Sequence, residues 1–366
     1  MEIFGSAKKS LKNVRTYQPG KPIEELEREY GVRNAIKMAS NENALGPSPK
    51  ALRALRASLK EVHRYPDGHS FYLRRKLAKR LAVNEDNLVF GNGSDELLAL
   101  AARAFVGPGD GVVIADPTFL IYEIASQLEA GRVVKVPMKN FRYDLPGMLK
   151  KVNNKTKLVF IANPDNPVGT YVTQKELLAF LKRVPKQTVV LLDEAYYEFA
   201  KGREGYPDAL GFYRRFPNLI IVRTFSKIYG LAGLRIGYAV CNPPVARALG
   251  KVREPFNVNL LAQRAAFAAL DDKTHLKKTL AYVASGRKYL QTEFSKMGFG
   301  LIDTATNFML VNLKREALPV YEGLLRRGII VRPMTSWGLM TYIRVTIGKA
   351  GENKRLVKAM KEILST

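Results

Sequence analysis

Short runs of β-branched and apolar residues recur through the middle of this chain, most of them followed directly by glycine, asparagine or aspartate. They fall at residues 87–90, 112–115, 157–162 and 188–192, in a run ending at 222, and at 236–240. Runs so uniformly apolar read as strands buried on both faces, and segments of helical spacing lie between them. The alternation over residues 87–240 predicts a mostly parallel α/β sheet covered on both sides. Upstream, residues 35–39 read as a short strand, and Ser48 followed by Pro49 caps a helix running to about residue 62. After Pro243-Pro244 the pattern turns helical, with one long helix predicted from about residue 260 past 285. Strands at 307–312, 329–331 and 342–347, with helices between them, then predict a second and smaller α+β unit.

Composition narrows this picture. A chain of 366 residues with 46% hydrophobic content can bury a sizeable core, and its length favours a large domain plus a smaller one. Lys plus Arg number 59 against 33 Asp plus Glu, a formal net charge of +26. That excess could serve nucleic acid, but the basic residues are spread along the chain with no basic block, zinc-finger spacing or RNA-recognition signature. The expectation is a solvated basic surface that also attracts anionic substrates, with nucleic acid unlikely as a partner. One cysteine, Cys241, excludes an internal disulfide, and His63, His69 and His275 lack metal-ligand spacing. The amino terminus, Met-Glu-Ile-Phe-Gly, does not read as a leader, and no apolar run approaches a membrane span, so a cytoplasmic protein is expected.

The candidate chemistry gathers at strand ends. Ser226 and Lys227 fall in the connection between the strand ending at Val222 and the one beginning near Arg235, which puts the lysine at a mouth. Ser226 and Arg235 bring a hydroxyl and a fork of donors beside it, a pairing suited to a phosphate dianion. A solvated lysine in a flexible loop is the competing reading. The run 188–192 leads into Asp193-Glu194-Ala195-Tyr196, so a carboxylate stands at the carboxyl end of a buried strand and needs a cationic partner. A protonated pyridine nitrogen would serve, and the ring could then accept electrons from an adjacent carbanion. Gly91-Asn92-Gly93-Ser94-Asp95-Glu96 turns from a strand into an apolar helix, an anion site in which Gly93, Ser94 and Asp95 are the candidate cradle. It is not a dinucleotide fingerprint, since Glu96 stands where the third glycine would be. Amine, carboxylate and phosphate anchor together describe a site for pyridoxal 5′-phosphate.

Over nearly its whole length the chain resembles the fold-type I aminotransferases, and among them the histidinol-phosphate aminotransferases. The resemblance rests on Tyr17-Gln18-Pro19-Gly20, Ser40-Asn41-Glu42-Asn43, Arg64-Tyr65-Pro66, Asn163-Pro164-Asp165-Asn166-Pro167-Val168-Gly169, Asp193-Glu194-Ala195-Tyr196, Ser226-Lys227, Leu231-Ala232-Gly233-Leu234-Arg235 and Tyr342-Ile343-Arg344-Val345. It implies a large domain over residues 35–255, built on a mostly parallel seven-stranded sheet between helices, and a discontinuous small domain from 1–34 and 256–366. It further implies that Lys227 bonds the cofactor and moves a proton, that Asp193 partners the ring nitrogen, and that Asn166 and Tyr196 hold the ring hydroxyl oxygen. Phe119 would stack on the ring, and Tyr65 would reach the phosphate of the other subunit in a homodimer. Arg344 would bind a substrate carboxylate, while Arg332 and Tyr17 would bind the substrate's own phosphate. The implied reaction passes an amino group from a small-molecule donor, histidinol phosphate, to a 2-oxo acid acceptor, 2-oxoglutarate. An aromatic amino acid aminotransferase and a threonine-phosphate decarboxylase share almost every one of these residues. Three departures stand out: Ala44 in place of proline, Val168 in place of threonine, and an unusual Trp337-Gly338-Leu339-Met340 between the two arginines.

Overall fold

The computed structural model describes residue 5 and residues 7–365; the start of the amino-terminal arm (1–4 and 6) and residue 366 lie outside it. The strands are β1 Ile36–Lys37, β2 Leu88–Gly91, β3 Gly111–Asp116, β4 Arg132–Pro137, β5 Thr156–Ala162, β6 Val189–Asp193, β7 Leu219–Thr224, β8 Gly237–Cys241, β9 Gly300–Leu301, β10 Phe308–Asn312, β11 Ile329–Ile330, β12 Arg332–Pro333 and β13 Tyr342–Thr346.

Seven of them form one sheet in the order β2-β8-β7-β6-β5-β3-β4, in which β8 runs antiparallel to both neighbours and the other pairs are parallel. Every residue of β6 is buried, because helices cover both faces of a parallel sheet. The carboxyl ends of β5, β6 and β7 emerge on one edge, where the loops after Ala162, Asp193 and Thr224 begin. That edge is where open α/β sheets bind ligands. A second sheet, β12-β13-β10-β9, is antiparallel throughout, and β1 pairs in parallel with β11. Among the described residues no helix is long and apolar enough to cross a membrane.

Two features differ from the sequence expectation. The long helix is two helices, Leu260–Ala269 and Lys273–Lys296, and Asp272 caps the second by accepting a hydrogen bond from the His275 amide at 3.1 Å. Strand β4 has no counterpart among the expected strands; it lies at a sheet edge, carries Arg132 and Lys135 among its apolar residues and is mostly uncovered. The expected domain boundaries are also bridged twice. Strand β1 joins a carboxyl-terminal strand, and Leu260–Ala269 buries an alanine face along the helix Pro49–Ser58.

The carboxyl-terminal layer depends on one close approach. A Cβ on Gly286, inside the helix Lys273–Lys296, would stand 2.6 Å from Ile347 Cγ2 and 2.8 Å from Asn353 Nδ2. Alanine gains about 1 kcal/mol over glycine in helix propensity, whereas overpacking costs about 1–3 kcal/mol. Gly286→Ala is therefore expected to lower the stability read by urea denaturation, even though it favours the helix.

Candidate active site

Strands β6 and β7 set the site by alternation. Consecutive carboxylates, Asp193 and Glu194, leave the end of β6 with different fates. Glu194 pairs with Arg223 of β7 at 2.7–2.8 Å, both fully buried, with Tyr197 beneath the guanidinium 3.5 Å from its ring centroid. Among the described residues Asp193 has no such ion-pair partner. Its Oδ2 accepts from Tyr122 Oη at 2.8 Å and its Oδ1 from the Ala195 amide at 3.0 Å. It is only 6% exposed, and burial pushes its carboxyl up to about 6. An acid so placed is shaped for a cation that comes from outside the chain.

Lys227 enters the same cleft from the turn after β7. The turn is closed by Gly230 N donating to Lys227 O at 3.2 Å and Leu231 N donating to Phe225 O at 3.1 Å. The Lys227 ammonium donates to Ser40 O at 3.4 Å and stands 5.7 Å from the Tyr196 ring centroid. Burial lowers its pKa, against the pull of Asp95 and with the push of Arg344. The amine is thereby biased toward its neutral, nucleophilic form.

At one end of the cleft the helix Ser94–Phe105 starts, with its free amides and the positive end of its dipole directed inward. Gly93 caps it at φ 84°, and a Cβ there would collide with the Arg235 guanidinium, so only glycine leaves this corner open. Ser226 receives the Thr224 hydroxyl at 2.9 Å. Arg235 lies 3.4 Å from the Asp95 carboxylate, both about half exposed, so Asp95 offers an anion its backbone amide while its side chain belongs to the arginine.

The other end holds two cations. Arg332 and Arg344 are paired residues of β12 and β13, directly opposite in register. Arg344 donates to Asn166 Oδ1 and to Ala39 O at 2.8 Å, while its Nε, buried, has no partner among the described residues. Arg332 donates to Gln18 O at 2.6 Å. Asn41 donates to the Tyr196 hydroxyl at 2.8 Å, and burial raises the Tyr196 pKa, so this phenol keeps its proton.

The cleft has a volume of about 360 Å³. Of the residues singled out in the sequence, Tyr17, Ser94, Asp95, Phe119, Asn166, Asp193, Tyr196, Ser226, Lys227, Arg235, Arg332 and Arg344 all line it. Gly93 stands behind it as the helix cap. Tyr65 does not reach it: the side chain is 84% exposed and stacks on Phe256 at 4.9 Å. Sequence reasoning missed Tyr122 and Asn41. Tyr122 follows Phe119 by three residues, which brings the two rings to 5.7 Å edge-on, and that spacing was the available signal. Also missed was Asp165, fully buried beside Asn166, which accepts from Thr118 Oγ1 at 2.7 Å, Tyr143 Oη at 3.1 Å and the Val168 amide at 3.1 Å. Burial pushes its carboxyl up to about 7.

The site fits a ligand with a cationic ring nitrogen, an electrophile for an amine and a dianion: a buried acid without an ion-pair partner among the described residues, a buried lysine whose pKa is lowered and a glycine-opened helix start are what each needs. Comparison with known proteins agrees in scale. The aminotransferase class I and II family pattern matches residues 33–360. The chain is 47% identical over 359 residues to a histidinol-phosphate aminotransferase of Moorella thermoacetica, covering 98% of this chain and 93% of the relative. It is likewise 47% identical over 362 residues to one from Nitrosococcus oceani, covering 99% and 98%. The crystal structure of a histidinol-phosphate aminotransferase from Sinorhizobium meliloti in complex with pyridoxal-5′-phosphate superposes with a TM-score of 0.90 at 32% identity, covering 100% of this chain and 99% of that one. With its cleft, its sheet order and its near-full-length relatives in agreement, the chain belongs to the class I and II aminotransferases, among the histidinol-phosphate aminotransferases.

Proposed function

We propose that this protein is a pyridoxal phosphate-dependent transaminase of histidine biosynthesis, moving the amino group of L-histidinol phosphate to 2-oxoglutarate and giving imidazole acetol phosphate and glutamate. The observation that carries this reading is the pair of arginines in register on one wall of a cleft that also holds Lys227 and Asp193, in a chain whose near-full-length relatives bear that name. One substrate pair offers a phosphate and the other a carboxylate, and two guanidinium groups can serve them separately.

Pyridoxal phosphate, when bound, supplies an electron-accepting ring conjugated to the bond that is broken. Lys227 is assigned to hold the cofactor through its aldehyde carbon and, once released, to carry the proton from the substrate Cα. Asp193, steadied by Tyr122, would hold a proton on the ring nitrogen. The Asn166 amide, oriented through its oxygen by Arg344, and the Tyr196 hydroxyl are assigned to the ring oxygen, with Phe119 on the ring face. Gly93, Ser94, Asp95, Ser226 and Arg235 would hold the cofactor phosphate. Arg344 receives the carboxylate of glutamate, while Arg332 and Tyr17 receive the substrate phosphate.

The working unit in this reading is a cytoplasmic homodimer with shared sites. Tyr65, Tyr72, Val62, Leu59, Phe71 and Phe256 are all exposed, and Tyr65 stacks on Phe256 while Phe71 meets Tyr72 edge-on; exposed apolar side chains of this kind suit a protein–protein contact. A second copy seated there would carry its Tyr65 to the phosphate of the first. Residues 35–255 would act as the larger unit and 1–34 with 256–366 as the smaller, with Leu260–Ala269 riding on the larger. The +26 charge, spread over the surface, would steer the anionic substrates.

Three outcomes are expected. In a panel of histidinol phosphate, phenylalanine and threonine phosphate, each with and without 2-oxoglutarate, only the first with the acceptor should turn over rapidly, and Lys227→Ala should abolish turnover. Fast turnover of phenylalanine, or carbon dioxide release from threonine phosphate, would assign one of the rival activities instead. The second concerns Asp193 in the cofactor-free protein. A carboxyl raised from 3.8 to about 6 stabilises the fold fully below the lower value and loses that contribution as pH rises through the higher, so at neutral pH its charge costs roughly 2–3 kcal/mol. Cofactor-free Asp193→Asn should melt above the cofactor-free wild type at pH 7.5, with the gap closing toward pH 4.5, while its affinity for the cofactor falls. Third, Tyr65→Ala and Lys227→Ala, each impaired alone, should regain activity when co-refolded, since one site of each mixed dimer is then whole; no recovery would contradict the shared site.

A further inference from the structure

Like charges directly opposite on antiparallel strands repel, and Arg332 faces Arg344 across β12 and β13. The two are restrained in different ways. Arg344 is held by Asn166 and by the Ala39 carbonyl. Arg332 is held by the Gln18 carbonyl on one side, and on the other its guanidinium carbon lies 5.6 Å from the ring centroid of Trp337. A cation over an indole face is an attractive contact. The indole is itself tied down, because Nε1 donates to the Thr118 carbonyl at 2.8 Å and the Thr118 hydroxyl is bound to buried Asp165. The ring thus stands at the partition between the cleft and an outer groove under residues 15–18, and Tyr17, Phe119, Arg332 and Trp337 line both spaces. It is the only tryptophan in the chain.

We propose that Trp337 is a positioning residue that sets substrate specificity: its tethered ring face draws the Arg332 guanidinium away from Arg344, so that a phosphate dianion and a carboxylate are received by different arginines. The inference rests on the proposed function for the identity of the phosphate-bearing substrate, but not for the positioning of Arg332. Without the indole, Arg332 keeps its charge and its Gln18 contact yet loses the surface that fixes its direction. An arginine free to turn pays more ordering entropy per hydrogen bond it makes to a phosphate. Glutamate, whose α-carboxylate is assigned to Arg344 and whose second carboxylate is a monoanion, draws on that restraint less than a phosphate dianion does.

The test uses cofactor-loaded wild type, Trp337→Leu and Trp337→Phe, the second retaining a ring without the tether. Trp337→Leu is expected to raise KM for histidinol phosphate roughly tenfold with kcat within about twofold, as loss of one cation–π restraint implies. The single-turnover reaction with glutamate should keep its rate and its half-saturation. Trp337→Phe should fall between the wild type and Trp337→Leu. In the wild type, the lone tryptophan should report the event directly: histidinol phosphate gives a saturable change in intrinsic fluorescence that histidinol, lacking the phosphate, does not. Calorimetric titration with inorganic phosphate adds a reading that needs no substrate identity, with affinity again falling roughly tenfold in Trp337→Leu. Equal damage to the glutamate and histidinol phosphate reactions would mean that Trp337 only packs the wall and would overturn the proposal. Unchanged KM and unchanged phosphate affinity would overturn it as well. If the wild type fails to turn over histidinol phosphate while Trp337→Leu still loses phosphate affinity, the proposed substrate falls and the role of Trp337 stands.

Discussion

A carboxylate at the end of a wholly buried strand, steadied by one phenol and one backbone amide, is the constraint around which this molecule is arranged. An isolated buried charge is among the costliest things a fold can hold. Its neighbour in sequence shows the usual remedy: Glu194, on the opposite side of the chain, is neutralised by Arg223 with a tyrosine ring beneath. The fold could have supplied Asp193 with a similar partner and did not. The resulting cost is local, a cation brought by a ligand would relieve it, and it is the kind of cost that a working site imposes on stability.

From that acid the remaining groups follow as geometry. Parallel strands β5, β6 and β7 deliver the Asn166 loop, Asp193 and the Lys227 turn to one edge. The helix Ser94–Phe105 brings its amides to the same edge, because β2 joins the sheet beside β8. The antiparallel sheet of the carboxyl-terminal part closes the cleft from the other side and carries both arginines on one face. Asn166 and Arg344 meet across the gap between the two parts, so the loop after β5 and the strand β13 are joined by a hydrogen bond across the cleft.

Much of this could be read from residue order. Fully apolar runs marked the central strands, since burial on both faces leaves no polar position to confuse the period. The candidate chemistry was legible from position alone, because Asp193 directly follows the apolar run 188–192 and Lys227 lies in the connection after the run ending at Val222. What escaped had physical reasons. Strand β4 is an edge strand whose charged residues resemble a loop. The break at residues 270–272 lies in a continuous helical pattern, where Asp272 acts as a cap only because of the backbone turn it terminates. Tyr122 and Asn41 look like ordinary core and loop residues; their importance comes from the groups they hydrogen-bond, Asp193 and Tyr196, which are distant in sequence. Trp337 was visible as an oddity, but its contact with Arg332 depends on how a short turn folds back over the cleft.

The central claim is that the Lys227 amine and the Asp193 carboxylate act on a single pyridine ring. Reductive trapping of the bound cofactor with borohydride, followed by mass spectrometry of the digested peptides, tests it most directly. The pyridoxyl group should be found on Lys227 alone. Its attachment to any other lysine, or a trapped protein carrying none, would contradict the account.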